Sequence, residues 1–231
     1  MIKDNIQRAR DQIAQVCSKM GRCLEEITIV AVSKGRGVEE IREAVEAGIQ
    51  HIGENKVQEV LPKHKLITHN FKLLIPKLHM VGHLQTNKVK DAIKIFDLIQ
   101  SVDSMRLVRE IDKEAAKIGK IQDILIEVKT SSEATKFGFS PEEVVEDVKM
   151  IGQLENVNVK GLMTVASIVD DSKNARPCFR LLRQLQDRIN TLHITPYTLH
   201  ILSMGMSDDF EVAIEEGSTM VRLGRAIFSR Q

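Results

Sequence analysis

The first apolar run of the chain ends in a lysine, a residue that can do covalent chemistry. The run reads ITIVAVSK over residues 27–34, and Gly35 breaks it. Because side chains alternate along a strand, Lys34 shares a face with Val30 and Val32. We expect an amine in this position to be partly desolvated, which favours its neutral form and makes it a nucleophile toward carbonyl groups. The commoner outcome for a lysine is a side chain that extends from the rim into water.

An arginine lies in the last apolar run, TMVRLG at residues 219–224. If the more apolar face of this strand packs against helices, Arg222 points to the other face, into the interior of the protein. A guanidinium is costly to bury unless an acceptor meets it. That acceptor is either a carboxylate of the chain, such as Glu127, or an atom of a ligand. The periodicity does not distinguish these two cases.

A third candidate lies in the segment ILSMGMSDDFEVAIEEG at residues 201–217. The pattern predicts that a strand ends at Ser203, that a loop follows, and that Ser207 or Asp208 is the N-cap of the next helix. Exposed backbone N–H groups at a helix start bind anions, and barrels often hold phosphate there. Gly224 would let the backbone approach the same anion closely. Ordinary loop and capping chemistry is the alternative explanation for these residues.

Two histidines, His79 and His83, have a spacing that binds metal when it occurs on a helix. They lie in an apolar run that predicts a strand, where four residues span about 13 Å. That separation is too long for two ligands of one zinc ion. We therefore expect no metal site. His83 at the end of the strand either lines a pocket or makes a structural hydrogen bond.

Short apolar runs alternate with helical segments along the whole chain, after an opening helix predicted over about residues 3–20. The eight runs cover residues 27–34, 50–54, 78–84, 96–102, 123–129, 157–163, 197–203 and 219–224. This order implies parallel βαβ units. We predict an α/β fold, a (β/α)8 TIM barrel with an extra N-terminal helix, as one domain over residues 1–231. The alternative is an open doubly wound sheet, but no G-x-G-x-x-G follows the first run.

Composition excludes several classes of function. The net charge is +1 and aromatic residues make up 3% of the 231 residues, with no tryptophan, so we expect no nucleic-acid binding. Three scattered cysteines fit a reducing compartment better than a disulfide framework. The charged N-terminus does not resemble a signal peptide, and no apolar run is long enough to cross a membrane. We predict a cytoplasmic protein.

Several motifs together resemble the pyridoxal phosphate homeostasis proteins, a family related to the N-terminal domain of alanine racemase. The motifs are AVSK (31–34), GENKVQE (53–59), HMVGHLQTNK (79–88), SVDS (101–104), GLMT (161–164), SMGMSDDFEVAI (203–214) and STMVRLGRAIF (218–228). The resemblance covers nearly the whole chain. It implies a barrel that carries pyridoxal 5′-phosphate (PLP) as a Schiff base on a lysine, which by position is Lys34.

The resemblance also implies roles for other residues of the site. Arg222 matches an arginine that faces the pyridine nitrogen of PLP, and Ser203 with the amides at Gly224 and Arg225 matches the phosphate site. The complete set of expected cofactor-binding residues is Lys34, Asn55, His83, Ser203, Met206, Ser207, Arg222, Gly224 and Arg225. No catalytic residue and no metal ligand is expected.

The chain departs from the family pattern at four places. Gly35, Arg36 and Gly37 stand where a threonine and a proline are usual, and Lys56 replaces a tyrosine. The other two departures are Leu78 in place of a tryptophan and Lys129 in place of an asparagine. Lys129 adds positive charge near the expected pocket.

The resemblance implies a protein of vitamin B6 homeostasis that holds PLP without catalytic turnover, as a monomer. PLP-dependent apoenzymes would be its recipients. A racemase needs an acid or base on each face of its substrate. The only tyrosine, Tyr197, is expected at the far end of the barrel, and the chain ends soon after the eighth run. Two alternatives stay open: an amino-acid racemase or lyase that uses His83 or water as the second base, and a Schiff-base aldolase acting on a sugar phosphate.

Overall fold

Eight parallel strands close into a barrel in the order of the sequence, as predicted. The computed structural model describes residues 1–70, 75–131, 137–166, 171–196 and 198–229, without the side chains of 68–70. The strands are β1 (Thr28–Val32), β2 (His51–Glu54), β3 (Lys77–Met80), β4 (Leu98–Val102), β5 (Gln122–Glu127), β6 (Val157–Met163), β7 (Ile201–Met206) and β8 (Met220–Leu223). Parallel pairing of β1 with β8 closes the ring, which excludes the open doubly wound sheet.

Helices connect the strands and form the outer layer of the barrel. They are α1 (Ile2–Lys19), α2 (Val38–Glu46), α3 (Val57–Asn70), α4 (Val89–Ile95), α5 (Met105–Lys117), α6 (Val144–Ile151), α7 (Arg176–Thr191), α8 (Phe210–Glu215) and α9 (Arg225–Phe228). The extra N-terminal helix is confirmed, since α1 precedes β1. Its Asn5 side chain donates to the carbonyl of Ile227 at 2.8 Å and so ties α1 to α9.

The alternation of side chains along the strands divides the core into two parts. Outward-facing residues such as Ala31, Val221 and Leu223 join the large apolar layer between the sheet and the helices. Inward-facing residues form a smaller apolar cluster inside the barrel, made of Val30, Leu98, Leu125, Met163 and Met220. Arg222 is two residues after Met220 on β8 and therefore lies on the interior face, as the sequence pattern predicted.

Several strand boundaries differ from the prediction, among them the carboxyl ends of β7 and β3. β7 was expected to end at Ser203 but continues to Met206. Gly205 lies in this extension, and α8 approaches it so closely that a Cβ atom there would lie 2.6 Å from the Cβ of Ala213. β3 ends at Met80 rather than near residue 84. The expected position of Tyr197 in the seventh strand lies outside the described residues.

None of the described helices is long and apolar enough to cross a membrane. The three cysteines are unpaired, and Cys17 is buried in the core while Cys23 is exposed.

Candidate functional site

Lys34 lies on a tight turn at the carboxyl end of β1. The N–H of Arg36 donates to the carbonyl of Ser33 at 3.0 Å, and Gly35 has φ +70°, which is the geometry of a type II turn. Lys34 is exposed. The expected partial desolvation is therefore wrong for the amine in this structure, because β1 ends at Val32 and the lysine continues as a turn residue.

A buried polar cluster supports this turn from behind. The Ser33 hydroxyl donates to Glu54 Oε1 at 2.8 Å, and Lys63 Nζ on α3 donates to the same oxygen at 3.1 Å. The Glu54 side chain is 3% exposed, and its Oε2 has no hydrogen-bond partner among the described residues. The residue that immediately precedes Lys34 is thus fixed by a charged group in the layer between the sheet and α3.

Arg222 is buried inside the barrel with its guanidinium held by neutral oxygens. Its Nη1 donates to the Ser203 carbonyl at 2.8 Å and to Ser203 Oγ at 2.6 Å. Its Nη2 donates to the carbonyl of Thr164, the residue after β6, at 2.7 Å. Burial lowers the pKa of Arg222 to about 10, while the charges of Glu127 and Asp209 raise it, so the side chain remains a cation at neutral pH. Glu127, the protein carboxylate considered from the sequence, thus acts on Arg222 through its charge.

The hydroxyl of Ser203, which was expected to bind phosphate, has protein groups as its hydrogen-bond partners. Ser203 is fully buried, its hydroxyl accepts from Arg222, and it donates to Oε1 of Gln100 at 2.6 Å. The hydroxyl therefore orients the arginine instead of facing the loops that follow β7 and β8. Gln100 was not among the residues predicted for the site. Its only signal was a polar residue inside the apolar run FDLIQSV.

The loops after β7 and β8 are tied to each other. Ser207 Oγ accepts from the N–H of Ala226 at 3.1 Å, so this serine caps α9. The predicted N-cap role of Ser207 or Asp208 for α8 is wrong, because α8 begins at Phe210 with Asp209 as N-cap. The Asp209 carboxylate accepts from the N–H of Met206 at 2.6 Å. The Asp209 carboxylate therefore already accepts one of the N–H groups near the start of α8, where an anion site was expected.

Gly224 follows β8, and Arg225 is the first residue of α9. The Arg225 side chain is exposed and forms an ion pair with Asp208 on the surface. Ser207 and Arg225 line a cleft of about 570 Å³ between these loops and α1. At Gly224 an added Cβ atom would lie 3.6 Å from the carbonyl oxygen of Val32, an ordinary contact. The packing of the protein itself therefore does not require a glycine here.

Asn55 and His83 both lie at the carboxyl end of the barrel but in different surroundings. Asn55 follows β2 and is half-buried, and its backbone packs so tightly on Gly82 that a Cβ there would lie 2.5 Å from the Asn55 carbonyl oxygen. His83 is exposed, with Nδ1 2.8 Å from Asp103 Oδ2. Its ring stacks on Phe137 with centroids 3.9 Å apart. His79, by contrast, is buried inside the barrel.

The departures from the family pattern lie in different layers of the molecule. Gly37 is the N-cap of α2. Lys56 is exposed and pairs with Glu59 at 3.2 Å. Leu78 is buried in the outer apolar layer, and Lys129 is half-buried in the segment after β5. Lys129 therefore lies at the carboxyl end of the barrel, as its position in the sequence predicted.

The chemistry of these groups fits PLP. A primary amine suits an aldehyde, and Lys34 lies on the turn after β1, the strand that neighbours β8, with Val30 of β1 paired to Arg222 of β8. An arginine carries five N–H donors, and the acceptors described above use three of those on Arg222. The Ser207 hydroxyl accepts from Ala226 and keeps its own O–H as a donor for an anion.

Comparisons with known proteins agree with the resemblance seen in the sequence. The family model "Alanine racemase, N-terminal domain" matches residues 5–230. The chain is 40% identical over 228 residues to the pyridoxal phosphate homeostasis protein of Aquifex aeolicus, covering 99% of this chain and 97% of the relative. It is 35% identical to the protein of the same name from Escherichia coli strain K12, covering 98% and 95% of the two chains.

A solved structure extends the likeness to three dimensions. PipY of Synechococcus elongatus, solved with PLP bound, matches with a TM-score of 0.84 and 30% identity, covering 99% of this chain and 100% of PipY. Barrel, motifs and full-length relatives therefore lead to one conclusion: the chain belongs to the pyridoxal phosphate homeostasis protein family and has the fold of the alanine racemase N-terminal domain.

Proposed function

We propose that this protein binds PLP and acts in its homeostasis as a carrier that holds the cofactor without turnover. One observation carries the proposal. A buried, charged arginine lies inside the barrel on β8, next to β1, and the turn that follows β1 carries an exposed lysine. The names of the relatives and the PLP-bound PipY structure support the same ligand.

Lys34 is the residue that would hold PLP covalently, as a Schiff base with the cofactor's aldehyde. Its exposure at the turn keeps the amine accessible to an incoming aldehyde. Bound PLP supplies an aldehyde and an aromatic ring that can accept electrons. Arg222 would donate to the ring nitrogen and disfavour its protonation, which makes the ring a weaker electron acceptor. Such a site suits binding better than carbanion chemistry.

The phosphate would lie at the loops after β7 and β8. The donors that we assign to it are the Ser207 hydroxyl and the backbone N–H groups of Gly224 and Arg225, with Met206 lining the same loop. Ser203 acts on the cofactor only through Arg222, because its hydroxyl lies within hydrogen-bond distance of that guanidinium and of Gln100. Asn55 and His83 would flank the site from the loops after β2 and β3.

The proposed function also includes a location, an oligomeric state and recipients for the cofactor. We infer a cytoplasmic monomer that exchanges PLP with PLP-dependent apoenzymes, since an exposed lysine is open to transfer. The alternative of a racemase or lyase would need a second acid or base. The candidate His83 has its Nδ1 engaged by Asp103 and its ring against Phe137.

A Lys34→Ala variant tests the covalent proposal. The wild-type protein mixed with PLP should show a visible absorption band that the variant lacks, and borohydride reduction should fix PLP to residue 34. A band of equal strength in both proteins would contradict the assignment. Incubation of the PLP-loaded protein with each enantiomer of common amino acids in deuterated water tests turnover. Rapid exchange of the α-proton would favour the racemase or lyase alternative.

A further inference from the structure

A chain of polar side chains runs across the barrel interior from Arg222 to the opposite end. Ser203 Oγ on β7 contacts Arg222 and lies 2.6 Å from Gln100 Oε1 on β4. Gln100 Nε2 lies 2.8 Å from Nδ1 of His79 on β3. His79 Nε2 in turn lies 2.9 Å from Nδ1 of His51, the first residue of β2. Five strands contribute one link each.

Arg222 fixes the direction of the first links in this chain. A guanidinium can only donate, so Ser203 Oγ accepts from it and uses its single O–H to donate to Gln100 Oε1. That contact orients the amide of Gln100, whose Nε2 must then face His79. The second hydrogen of Nε2 has a partner in the sulfur of Met220 at 3.2 Å.

The direction continues through the histidines. Because Gln100 Nε2 is a donor, His79 Nδ1 must accept and the proton of a neutral His79 lies on Nε2. That N–H donates to Nδ1 of His51. Burial, helped by the charges of His51 and Lys77, lowers the pKa of His79 to about 3, so the ring is neutral at physiological pH. Burial also lowers the pKa of His51.

We propose that Gln100, His79 and His51 are positioning residues for Arg222. They hold Ser203 with its lone pairs turned to the guanidinium, so the arginine keeps one orientation in the barrel. The consequence for PLP rests on the function proposed above, in which Arg222 faces the ring nitrogen. The hydrogen-bond direction itself is a property of the protein alone.

The first test is made on the protein without cofactor. Nitrogen-15 NMR of the imidazole rings should show His79 neutral, with its proton on Nε2 and an unprotonated Nδ1. In Gln100→Met the Nδ1 signal should shift, because that nitrogen loses its donor. A wild-type His79 protonated on Nδ1 would overturn the proposal whether or not any variant folds.

The second test measures the effect on Arg222 with PLP as the probe. Gln100→Met should weaken PLP binding by about tenfold, the worth of one hydrogen bond to a charged group, and should shift the visible absorption maximum of the bound cofactor. Gln122→Met is the matched control. Gln122 is also fully buried in a barrel strand, but its amide donates to the carbonyls of Phe96 and Asp97.

The outcomes separate this inference from the proposed function. If Gln122→Met changes the spectrum and the affinity as much as Gln100→Met does, the positioning role is wrong. If the wild-type protein does not bind PLP at all, the proposed function fails. The NMR result still decides the direction of the hydrogen-bond chain in that case.

Discussion

Gly35 holds the turn that carries Lys34 in a conformation that L-residues rarely adopt. Its φ is +70°, and apart from its two chain neighbours no atom of the described residues lies within 4 Å of the position of a Cβ, so Gly35→Ala strains only the backbone. We expect a loss of about 1 kcal/mol in the free energy of unfolding, measured by urea denaturation. The strain would also move Lys34, so the rate of PLP attachment should fall.

Gly21 provides the control for this prediction. It has φ +66° and equally open surroundings, but it follows α1 on the amino-terminal side of β1, whereas Lys34 follows the carboxyl end of β1. Gly21→Ala should lose the same stability and leave PLP attachment unchanged. Equal rates of PLP attachment in the two variants would show that the conformation of the turn does not control the reactivity of Lys34.

Gly224 offers a test of the phosphate site at the level of one methyl group. The nearest atoms to an added Cβ are 3.6 and 3.7 Å away, so Gly224→Ala should change the free energy of unfolding by less than about 0.5 kcal/mol. The methyl group would obstruct a phosphate at the backbone. PLP affinity should therefore fall about tenfold, a loss of ~1.4 kcal/mol, while pyridoxal affinity stays constant.

The comparison of the two ligands decides that prediction. Gly152→Ala, at the end of α6, serves as the control variant because its Cβ would also meet only ordinary contacts, the nearest at 3.4 Å. An equal loss of affinity for PLP and for pyridoxal in Gly224→Ala would contradict a phosphate contact at this residue.

At the scale of single elements, the alternation of apolar residues predicted the direction of side chains better than it predicted where strands end. The apolar pattern of the eighth run was enough to predict that Arg222 points inward, because one face of a strand must meet the helices. The same pattern did not show that β1 ends at Val32, since a strand and a following turn residue look alike in sequence. The close approach of α8 to Gly205 is a tertiary contact that no local sequence pattern shows.

The hydrogen-bond acceptors of Arg222 also could not be predicted from the sequence. Two of its three hydrogen bonds go to backbone carbonyls, of Ser203 and Thr164, and any residue type supplies such an acceptor. The sequence therefore predicts that the guanidinium is buried but not which atoms accept its hydrogen bonds.

The junction between β1, β2 and α3 depends on an ion pair that is almost completely buried. Lys63→Met would leave the Glu54 carboxylate with the Ser33 hydroxyl as its remaining described partner. We expect this variant to lose about 2–4 kcal/mol in the free energy of unfolding, because one charge of the pair stays buried.

The double variant Glu54→Gln with Lys63→Met tests the cause of that loss. A neutral amide can still hydrogen-bond to Ser33, so removal of the buried charge should recover about half of the stability. Denaturation of the two variants in parallel makes the comparison. A double variant less stable than Lys63→Met would show that the charge itself is needed.

For the whole molecule, the polar chain inside the barrel makes stability depend on pH. A TIM barrel is ordinarily filled by layers of branched apolar side chains, whereas here the apolar cluster shares the interior with two histidines, a glutamine and an arginine. The folded barrel favours the neutral form of His79, because the ring is 2% exposed and burial lowers its pKa from 6.5 to about 3.

Linkage gives the sign of this dependence. Between pH 6.5 and about 3 the unfolded chain binds a proton at residue 79 that the folded chain does not. The contribution of His79 to stability is therefore complete above pH 6.5 and is lost as the pH falls, by about 1.4 kcal/mol per pH unit. Lowering the pH from 7 to 5 should cost wild type about 2 kcal/mol more than His79→Gln. Urea denaturation at both pH values measures the difference, with the exposed His200→Gln as a control that should behave as wild type. An equal loss in His79→Gln and in wild type would mean that the proton enters elsewhere in the barrel.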